Sequence, residues 1–236
     1  LDVLCDELGA GSDGHPAKPV ITVMMSEGQT GSVIQHRGHH LPCYQFPEKA
    51  AYTLASAVRY REWRDAPAGY IPDYEDSDLE KARNTIQAAG SHDAEGWLTS
   101  EAARDVLQSV GLASAGESRG AAVSVEIGIA QDPVFGPVFS FSLAGYHRQV
   151  LNDIAYRMTP LTDADAESMV RSVRGFPLLG RESDLAALQE TLLRLSYLVE
   201  EIPEIEQVSI APVYVYRAGQ GCACGAARIR VSLKSG

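Results

Sequence analysis

Apolar residues recur along this chain with two different periods, one typical of strands and one typical of helices. Pro19 to Met25 reads PVITVMM, a short continuous apolar run, which predicts a buried parallel strand. After a loop and a second short strand at LPCYQF, Pro47 followed by Glu48 favours a helix start. The apolar positions at helical spacing in that helix are Ala51, Leu54, Val58 and Trp63.

The second half of the chain carries three further helix signals. In GWLTSEAARDVLQSVG, Thr99 or Ser100 can cap the N-terminus and Gly111 suits a left-handed C-terminal cap. Thr162 with Asp165 three residues later predicts a capping box. A longer helix begins at Asp184. We interpret its apolar stripe as core and not as a partner-binding surface; the stripe is Leu185, Leu188, Leu192, Leu195 and Val199.

Strand patterns surround these helices. Residues Ala122 to Gly128 alternate between apolar and polar side chains, as in a half-buried strand. A second strand is predicted at Val138 to Leu143, and closing strands at Val208 to Tyr216 and Ala227 to Leu233. The order of elements predicts an α/β fold.

The stretch between the two halves has the composition of a linker. It contains Pro67, Gly69, Pro72 and the acidic run DYEDSDLE, and a short helix is expected at Leu79 to Ala89 within it. We therefore predict a first domain at residues 1–66, a linker at 67–95 and a second domain at 96–236. The opening residues LDVLCDEL resemble the tail of a helix, so we expect the sequence to be a piece of a longer polypeptide.

Charge and hydropathy exclude several classes of function. The chain has 20 Lys and Arg against 31 Asp and Glu, a net charge of −11, which disfavours nucleic acid and anionic membranes as partners. No apolar run approaches the roughly 20 residues of a membrane span, and no secretory signal pattern opens the sequence. We predict a cytoplasmic protein.

Cysteine and histidine residues offer no strong metal motif. The cysteines are Cys5, Cys43, Cys222 and Cys224, too few for a disulfide framework in a chain of this length. A polar loop is predicted for VIQHRGHHLPC, whose histidines lack a carboxylate or second cysteine at ligand spacing. The sequence therefore predicts no metal site.

Several segments together resemble one enzyme family. Val125 to Asp153 reads VEIGIAQDPVFGPVFSFSLAGYHRQVLND, and TPLTDADAESMV, PLLG, LRLSYLVEEIPEIEQVSIAPV and AARIRV follow. These segments resemble the ATP-grasp part of NDP-forming acyl-CoA synthetases, which couple acyl-CoA and a nucleoside triphosphate through a phosphorylated histidine. The segment FPEKAAYTLASAVRYREWR resembles the last helix of the family's flavodoxin-like CoA-ligase domain.

The resemblance implies a fold that is incomplete at one end of the ATP-grasp domain. In the family, the helix equivalent to GWLTSEAARDVLQSVG leads into a lobe with a lysine-bearing strand and a histidine-glycine loop. Here GLASAGESRG runs directly into AAVSVEIG. We expect the end of a flavodoxin-like CoA-ligase domain followed by an incomplete ATP-grasp lobe.

The family's magnesium-triphosphate site implies oxygen ligands that this sequence lacks. The family has a glutamate after a Gly-Gly loop, an Asp-x-Asn-Pro strand and an Asp-Ala-Arg strand. The corresponding residues here are Gln149, then Ser209 and Ala211, then Ala226. Because alanine offers no side-chain oxygen, the resemblance predicts loss of the metal ligands. No catalytic and no metal residue is therefore assigned.

Other positions match the family. Glu126 corresponds to a possible ribose contact and Arg228 to the arginine of the Asp-Ala-Arg strand, and these two are the candidate cofactor-binding residues. A solvated strand acid is the alternative for Glu126. Asp153 is interpreted as a turn or helix-end hydrogen-bonding residue and not as a catalytic group.

Three functions remain open. The first is a non-catalytic acyl-CoA-synthetase-like module, regulatory or scaffolding within a larger acyl-CoA-handling protein or a GNAT acetyltransferase. It needs no cofactor, and its partners are other domains or subunits and acyl-CoA. The second is an active acid-thiol ligase that makes acyl-CoA with a partner chain and uses ATP, magnesium and CoA. The third is a subunit-packing domain.

Overall fold

The structure is a computed structural model that describes residues 21–24, 33–36, 39–89, 95–115, 120, 123–145, 152–180 and 182–232. The chain divides into two compact units, Leu1–Pro67 and Ala68–Gly236.

The described residues of the first unit form a small sheet and one helix. Strands β1 (Thr22–Val23), β2 (Val33–His36) and β3 (His39–Tyr44) are arranged in the order β1-β3-β2. β1 pairs with β3 in parallel, as predicted, whereas β2 and β3 are antiparallel. The loop predicted for VIQHRGHHLPC is therefore wrong: Val33 and Ile34 favour extended backbone, and β2 pairs with the histidine segment of β3.

Helix α1 (Pro47–Asp65) begins at Pro47 as predicted, but the apolar positions at helical spacing do not form a buried side. Leu54, Val58 and Trp63 are exposed, and Ala50 is the buried residue of the helix. The physical reason is the size of its support. Two short strands, β1 and β3, contact this 19-residue helix, so among the described residues most of its surface faces solvent. The strand predicted at Pro19 to Met25 is present as β1 at Thr22–Val23, but its predicted burial is wrong, because Val23 and Met24 are exposed.

The second unit alternates helices with an antiparallel sheet, and confirms the mixed α/β architecture. Its elements are α2 (Leu79–Ala89), α3 (Ser100–Ser109), β4 (Val123–Asp132), β5 (Gly136–Leu143), β6 (Ala155–Met158), α4 (Asp163–Ser172), α5 (Phe176–Leu179), α6 (Leu185–Glu201), β7 (Ile205–Val215), β8 (Cys222–Cys224) and β9 (Ala227–Val231). The strand order is β6-β5-β4-β7-β8, and β9 also pairs with β7.

One face of this sheet packs against the helices. Alternate residues of the strands are buried, and the stripe of α6 predicted to be core is buried with them, apart from half-buried Leu185. The fully buried side chains include Ile127, Phe139, Phe141, Leu188, Leu192 and Leu195. The helical and the alternating patterns therefore meet in a single core.

Helix termini follow the sequence closely. Thr99 caps α3 by accepting a hydrogen bond from the Ala102 N–H, and Gly111 adopts the left-handed conformation. The capping box of α4 is formed by Thr162 and Asp165. These predictions are confirmed because each cap needs only residues within one turn of the helix end.

The stretch interpreted as a linker begins at Pro67, the last residue of the first compact unit. Helix α2, predicted within it, buries Ala82 and Ile86 in the core of the second unit. Tyr74 is also buried there. Residues 68–89 thus contribute side chains to a folded unit. In the part of the chain that the structure describes, no helix combines the length and apolar character needed to cross a bilayer.

Candidate functional site

The sheet of the second unit has a polar face opposite its core, as far as the described residues show. Val125, Ile127 and Ile129 of β4 point into the core, so Glu126 and Gly128 lie on the opposite face. Cross-strand pairing puts Ser142 beside Glu126, and both Ser140 and Ser209 beside Gly128. This surface, which we call the polar sheet face, forms a cavity of about 250 Å³. Its polar lining residues are Glu126, Ser140, Ser142, Tyr156, Gln207 and Ser209.

Small residues form part of the floor of the cavity. A Cβ atom on Gly128 would lie 2.6 Å from the Ser140 Oγ, and that hydroxyl donates a 3.3 Å hydrogen bond to the Gly128 carbonyl oxygen. The absence of a side chain on Gly128 therefore makes room for the Ser140 hydroxyl of the neighbouring strand.

Glu126 lies opposite an irregularity of the neighbouring strand. Val125 pairs with Val213 and Ile127 with Ile210, so Ala211 and Pro212 both oppose Glu126 and the bulge belongs to β7. Bulges are enriched beside functional sites. Glu126 is half-buried and lines the cavity, a placement compatible with a ligand contact; its predicted role as a cofactor contact stays a prediction.

Arg228 lines a different cavity. It pairs with Ser209 across β7 and β9, but it lies beside a cleft of about 510 Å³ between α3 and the ends of β8 and β9. Its guanidinium carbon is 4.2 Å from the centre of the Trp97 ring. The structure therefore places the two predicted cofactor-binding residues on the same face of the sheet but in different cavities, and the role of Arg228 also stays a prediction.

We call this second cavity the arginine cleft. Its polar and charged lining residues are Ser100, Arg104, Ser114, Tyr214 and Arg228, with the backbone of Gly225 in its wall. Arg104 was not identified from the sequence. It is an exposed residue of α3, and its proximity to β9 depends on how the helix docks.

Of the three positions where the family's carboxylate or carboxamide is missing, two are neighbours. The Ala211 N–H donates a 3.0 Å hydrogen bond to the Ala226 carbonyl oxygen, and both residues are exposed. The third position, Gln149, lies outside the described residues. Within residues 21–145 and 152–232, as far as they are described, no group of three or more His, Cys, Asp or Glu side chains could hold a metal ion.

Two cysteine thiols lie near the arginine cleft and are not activated. Burial raises the pKa of Cys224 to about 11 and that of Cys222 to about 12. Both are free cysteines and stay protonated near neutral pH, so neither is a thiolate nucleophile.

Asp153 has the structural role expected for it. Its carboxylate accepts a 2.8 Å hydrogen bond from the Gly175 N–H. A Cβ atom on Gly175 would lie 2.9 Å from a Leu143 methyl, so this turn packs closely against β5. Asp153 thus holds the turn before α5.

The serines of the polar sheet face were not assigned from the sequence, although a signal was present. In the strand FSFSL, Phe139 and Phe141 alternate with Ser140 and Ser142. Because successive side chains of a strand point to opposite faces, the sequence alone predicts that these serines lie on the face opposite the phenylalanines. Tyr156 and Gln207 carry no comparable signal, because their positions depend on strand order.

Comparisons with known proteins agree with this architecture. The sequence profile of the ATP-grasp domain family matches residues 98–231. The fold is similar to that of PH1788 from Pyrococcus horikoshii Ot3, with a TM-score of 0.61 at 18% identity over 66% of this chain and 100% of that one.

Enzymes with curated functions match over the same half of the chain. The beta subunit of acetate–CoA ligase [ADP-forming] II from Pyrococcus furiosus is 36% identical over 111 residues, which are 44% of this chain and 47% of that subunit. The 4-hydroxybutyrate–CoA ligase [ADP-forming] of Nitrosopumilus maritimus is 36% identical over 101 residues, 41% of this chain and 14% of that enzyme. The chain thus spans less than half of these relatives. The chain is homologous to ADP-forming acyl-CoA ligases. Since residues 98–231 make up more than half of this chain, the chain belongs to the ATP-grasp domain family.

Proposed function

We propose that this chain is the ATP-grasp part of an ADP-forming acyl-CoA ligase and that it works with a complementary chain. The whole reaction joins a carboxylic acid to CoA at the expense of ATP. The observation that carries the proposal is the polar sheet face, an open polar surface on a sheet whose other side is packed core. The relatives, which are named as ligases, support this function over a non-catalytic module.

The polar sheet face offers the groups that a nucleotide needs. A carboxylate such as Glu126 accepts hydrogen bonds from ribose hydroxyls, and Ser209 supplies a hydroxyl donor. The Ser140 hydroxyl, which donates to the Gly128 carbonyl oxygen, can accept a hydrogen bond from a ligand. The role of this face is to bind and orient the nucleotide.

Magnesium does not fit the positions where the resemblance implies its ligands. Magnesium prefers oxygen donors and usually takes one or two carboxylates together with phosphate oxygens. Ala211 and Ala226 have only backbone oxygens, and that of Ala226 already accepts a hydrogen bond from Ala211. We therefore assign no step to a metal ion held by this chain.

This same alanine pair favours a second candidate function. A module that keeps the fold without metal ligands would act as a regulatory or scaffolding part of an acyl-CoA-handling protein. In that case the chain binds acyl-CoA or a partner domain and does not hydrolyse nucleotide.

A reconstitution assay tests the proposal. The chain is combined with the complementary ligase subunit, carboxylic acid, CoA and magnesium-ATP, and acyl-CoA and ADP are measured. We expect ATP-dependent acyl-CoA formation, reduced about tenfold or more by Glu126→Gln because the variant loses a charged acceptor. Glu167→Gln, an exposed glutamate on α4, is the matched control.

Isothermal titration of the chain with magnesium-ATP and with acetyl-CoA separates the two candidates. Absence of acyl-CoA formation together with binding of acetyl-CoA but not of magnesium-ATP would contradict the ligase and support the non-catalytic module.

A further inference from the structure

The turn between β4 and β5 exposes two neighbouring apolar side chains. Val134 and Phe135, at the tip of this hairpin, are 79% and 62% exposed. Single exposed apolar residues are normal on a protein surface, but turns are usually built from Gly, Pro, Asn, Asp and Ser. A branched aliphatic and an aromatic side chain next to each other at this tip therefore require a reason other than turn geometry.

Further exposed apolar side chains lie beside this turn, on β6. The Thr159 N–H donates a 3.2 Å hydrogen bond to the Pro137 carbonyl oxygen, so the end of β6 adjoins the turn. Tyr156 and Met158 of β6 are both exposed. We call the set of exposed side chains Val134, Phe135, Tyr156 and Met158 the apolar rim. Grouped apolar side chains on a surface indicate an interaction site, whereas isolated ones do not.

Hydrogen bonds fix the shape of the turn. The Asp132 carboxylate accepts bonds from the Val134 N–H at 2.8 Å and from the Phe135 N–H at 3.0 Å. Gly136 ends the turn with a φ of 73°, in the left-handed region that glycine adopts without strain. A turn that is already ordered loses little conformational entropy when its side chains dock on a partner.

The apolar rim borders the cavity of the polar sheet face. Tyr156 and Val138 line that cavity, and Met158 pairs with Val138 across β5 and β6. A macromolecule that covers the apolar rim is therefore placed beside the cavity to which we assign the nucleotide.

Chain length and charge indicate what kind of macromolecule this is. The chain spans less than half of the relatives that it matches, and the ligase function that we propose requires a complementary chain. That chain must reach the cavity for the reaction to occur, so we expect it to bind at the edge of the cavity. A second copy of this chain fits less well, because each copy carries a net charge of −11 and like charges repel.

We propose that the β4–β5 turn is the docking point for the complementary ligase chain. Phe135 inserts into an apolar pocket on that chain, and Val134 and Met158 pack around it and exclude water, as side chains around an interface anchor do. This inference rests on the proposed function, because the proposed function supplies the partner.

Calorimetric titration of this chain with the complementary ligase chain, in the absence of nucleotide, tests the proposal. We expect Phe135→Ser to weaken binding about tenfold or more, because the interface loses its apolar anchor, and Phe135→Leu to keep part of the affinity. Leu178→Ser is the matched control. Leu178 is an exposed apolar residue of the same unit, and it follows Gly175, which packs against Leu143 at the other end of β5.

Circular dichroism melting of each variant confirms that its fold is intact. The proposal is overturned by absence of binding, by unchanged affinity of Phe135→Ser, by equal weakening in Leu178→Ser, or by self-association of this chain that Phe135→Ser abolishes.

Failure of the ligase function gives a different result. In that case the two chains bind through Phe135, which supports the docking point, but they form no acyl-CoA from carboxylic acid, CoA and magnesium-ATP. In an active complex, Phe135→Ser should raise the half-saturating concentration of the complementary chain about tenfold, in line with the loss of affinity.

Discussion

At the scale of single residues, Asp184 joins two parts of the second unit. Its carboxylate caps α6 by accepting a 3.1 Å hydrogen bond from the Ala187 N–H, and it accepts another at 2.9 Å from the Gly221 N–H. These bonds hold the pKa of Asp184 below its ordinary value, and the bond from the Gly221 N–H makes the largest contribution to that shift. One ionised side chain therefore fixes both a helix start and the turn between β7 and β8.

We expect Asp184→Ala to lower the free energy of unfolding at pH 7 by about 1–2 kcal/mol, the usual cost of losing an N-cap. Because the pKa is depressed in the folded state, the ionised form stabilises the fold above the ordinary pKa of about 4, and this contribution is lost as pH falls through the folded value. The difference in the free energy of unfolding between Asp184→Ala and wild type should therefore be smaller at acidic pH. Urea unfolding at pH 7 and at pH 3 measures it.

Asp184→Asn is the control, because asparagine still caps a helix but cannot ionise. Asp184→Asn should lower the free energy of unfolding at pH 7 by less than Asp184→Ala does. A deficit for Asp184→Ala that is the same at both pH values would contradict the assigned role of the charge.

At the scale of elements, Arg194 of α6 clamps the segment before α2 to the rest of the second unit. Its guanidinium group donates to both carboxylate oxygens of Asp76, at 2.9 and 3.2 Å, and to the Val110 carbonyl oxygen at 3.0 Å. It also bonds to Glu190 at 2.7 Å and lies 4.3 Å from the centre of the Tyr74 ring. The side chain is 15% exposed, so it contributes packing as well as charge.

Arg194→Ala should destabilise the protein by about 2–3 kcal/mol, because it leaves the Val110 carbonyl oxygen without this donor and removes packing on Tyr74. Arg194→Lys should recover less than half of the loss, since an ammonium group cannot reproduce the paired bonds to Asp76. Chemical denaturation monitored by circular dichroism gives both values.

Arg171→Ala is a suitable comparison, because Arg171 forms an exposed ion pair with Glu167 one helical turn away. Its cost should be about 0.5 kcal/mol, as for other exposed pairs. Equal costs for Arg171→Ala and Arg194→Ala would show that Arg194 does not act as a clamp.

At the scale of the whole molecule, most of the buried apolar surface belongs to the second unit. The hydrophobic core cluster runs from Tyr74 to Val231, whereas the described first unit buries Leu41, Cys43 and Ala50. A unit of this length buries enough surface to fold alone, and the described members of its core cluster all belong to this unit.

A fragment of residues 68–236 should therefore fold by itself, with one cooperative thermal transition and a native near-ultraviolet circular dichroism signal. Calorimetry and circular dichroism of the fragment and the full chain check this expectation. Strong binding of a hydrophobic dye with no cooperative transition would indicate a molten state and contradict it.

Much of the fold could be predicted because its signals are local. Thr99, the pair of Thr162 and Asp165, and Asp184 each mark a helix start from within one turn. The alternation around Ile127 and Phe139 identifies strands that bury one face. The exposed surface of α1 could not be foreseen, since helical spacing does not reveal how much structure covers a helix.

The sequence by itself determined the family, the helix caps and which residues of each strand share a face, because these properties depend on residue order over short distances. Tertiary structure alone decided that Glu126 and Arg228 line separate cavities, that Arg104 joins Arg228, and that Ala211 meets Ala226. The physical reason is that these contacts join strands and helices far apart in the chain, and strand order and helix docking set their distances.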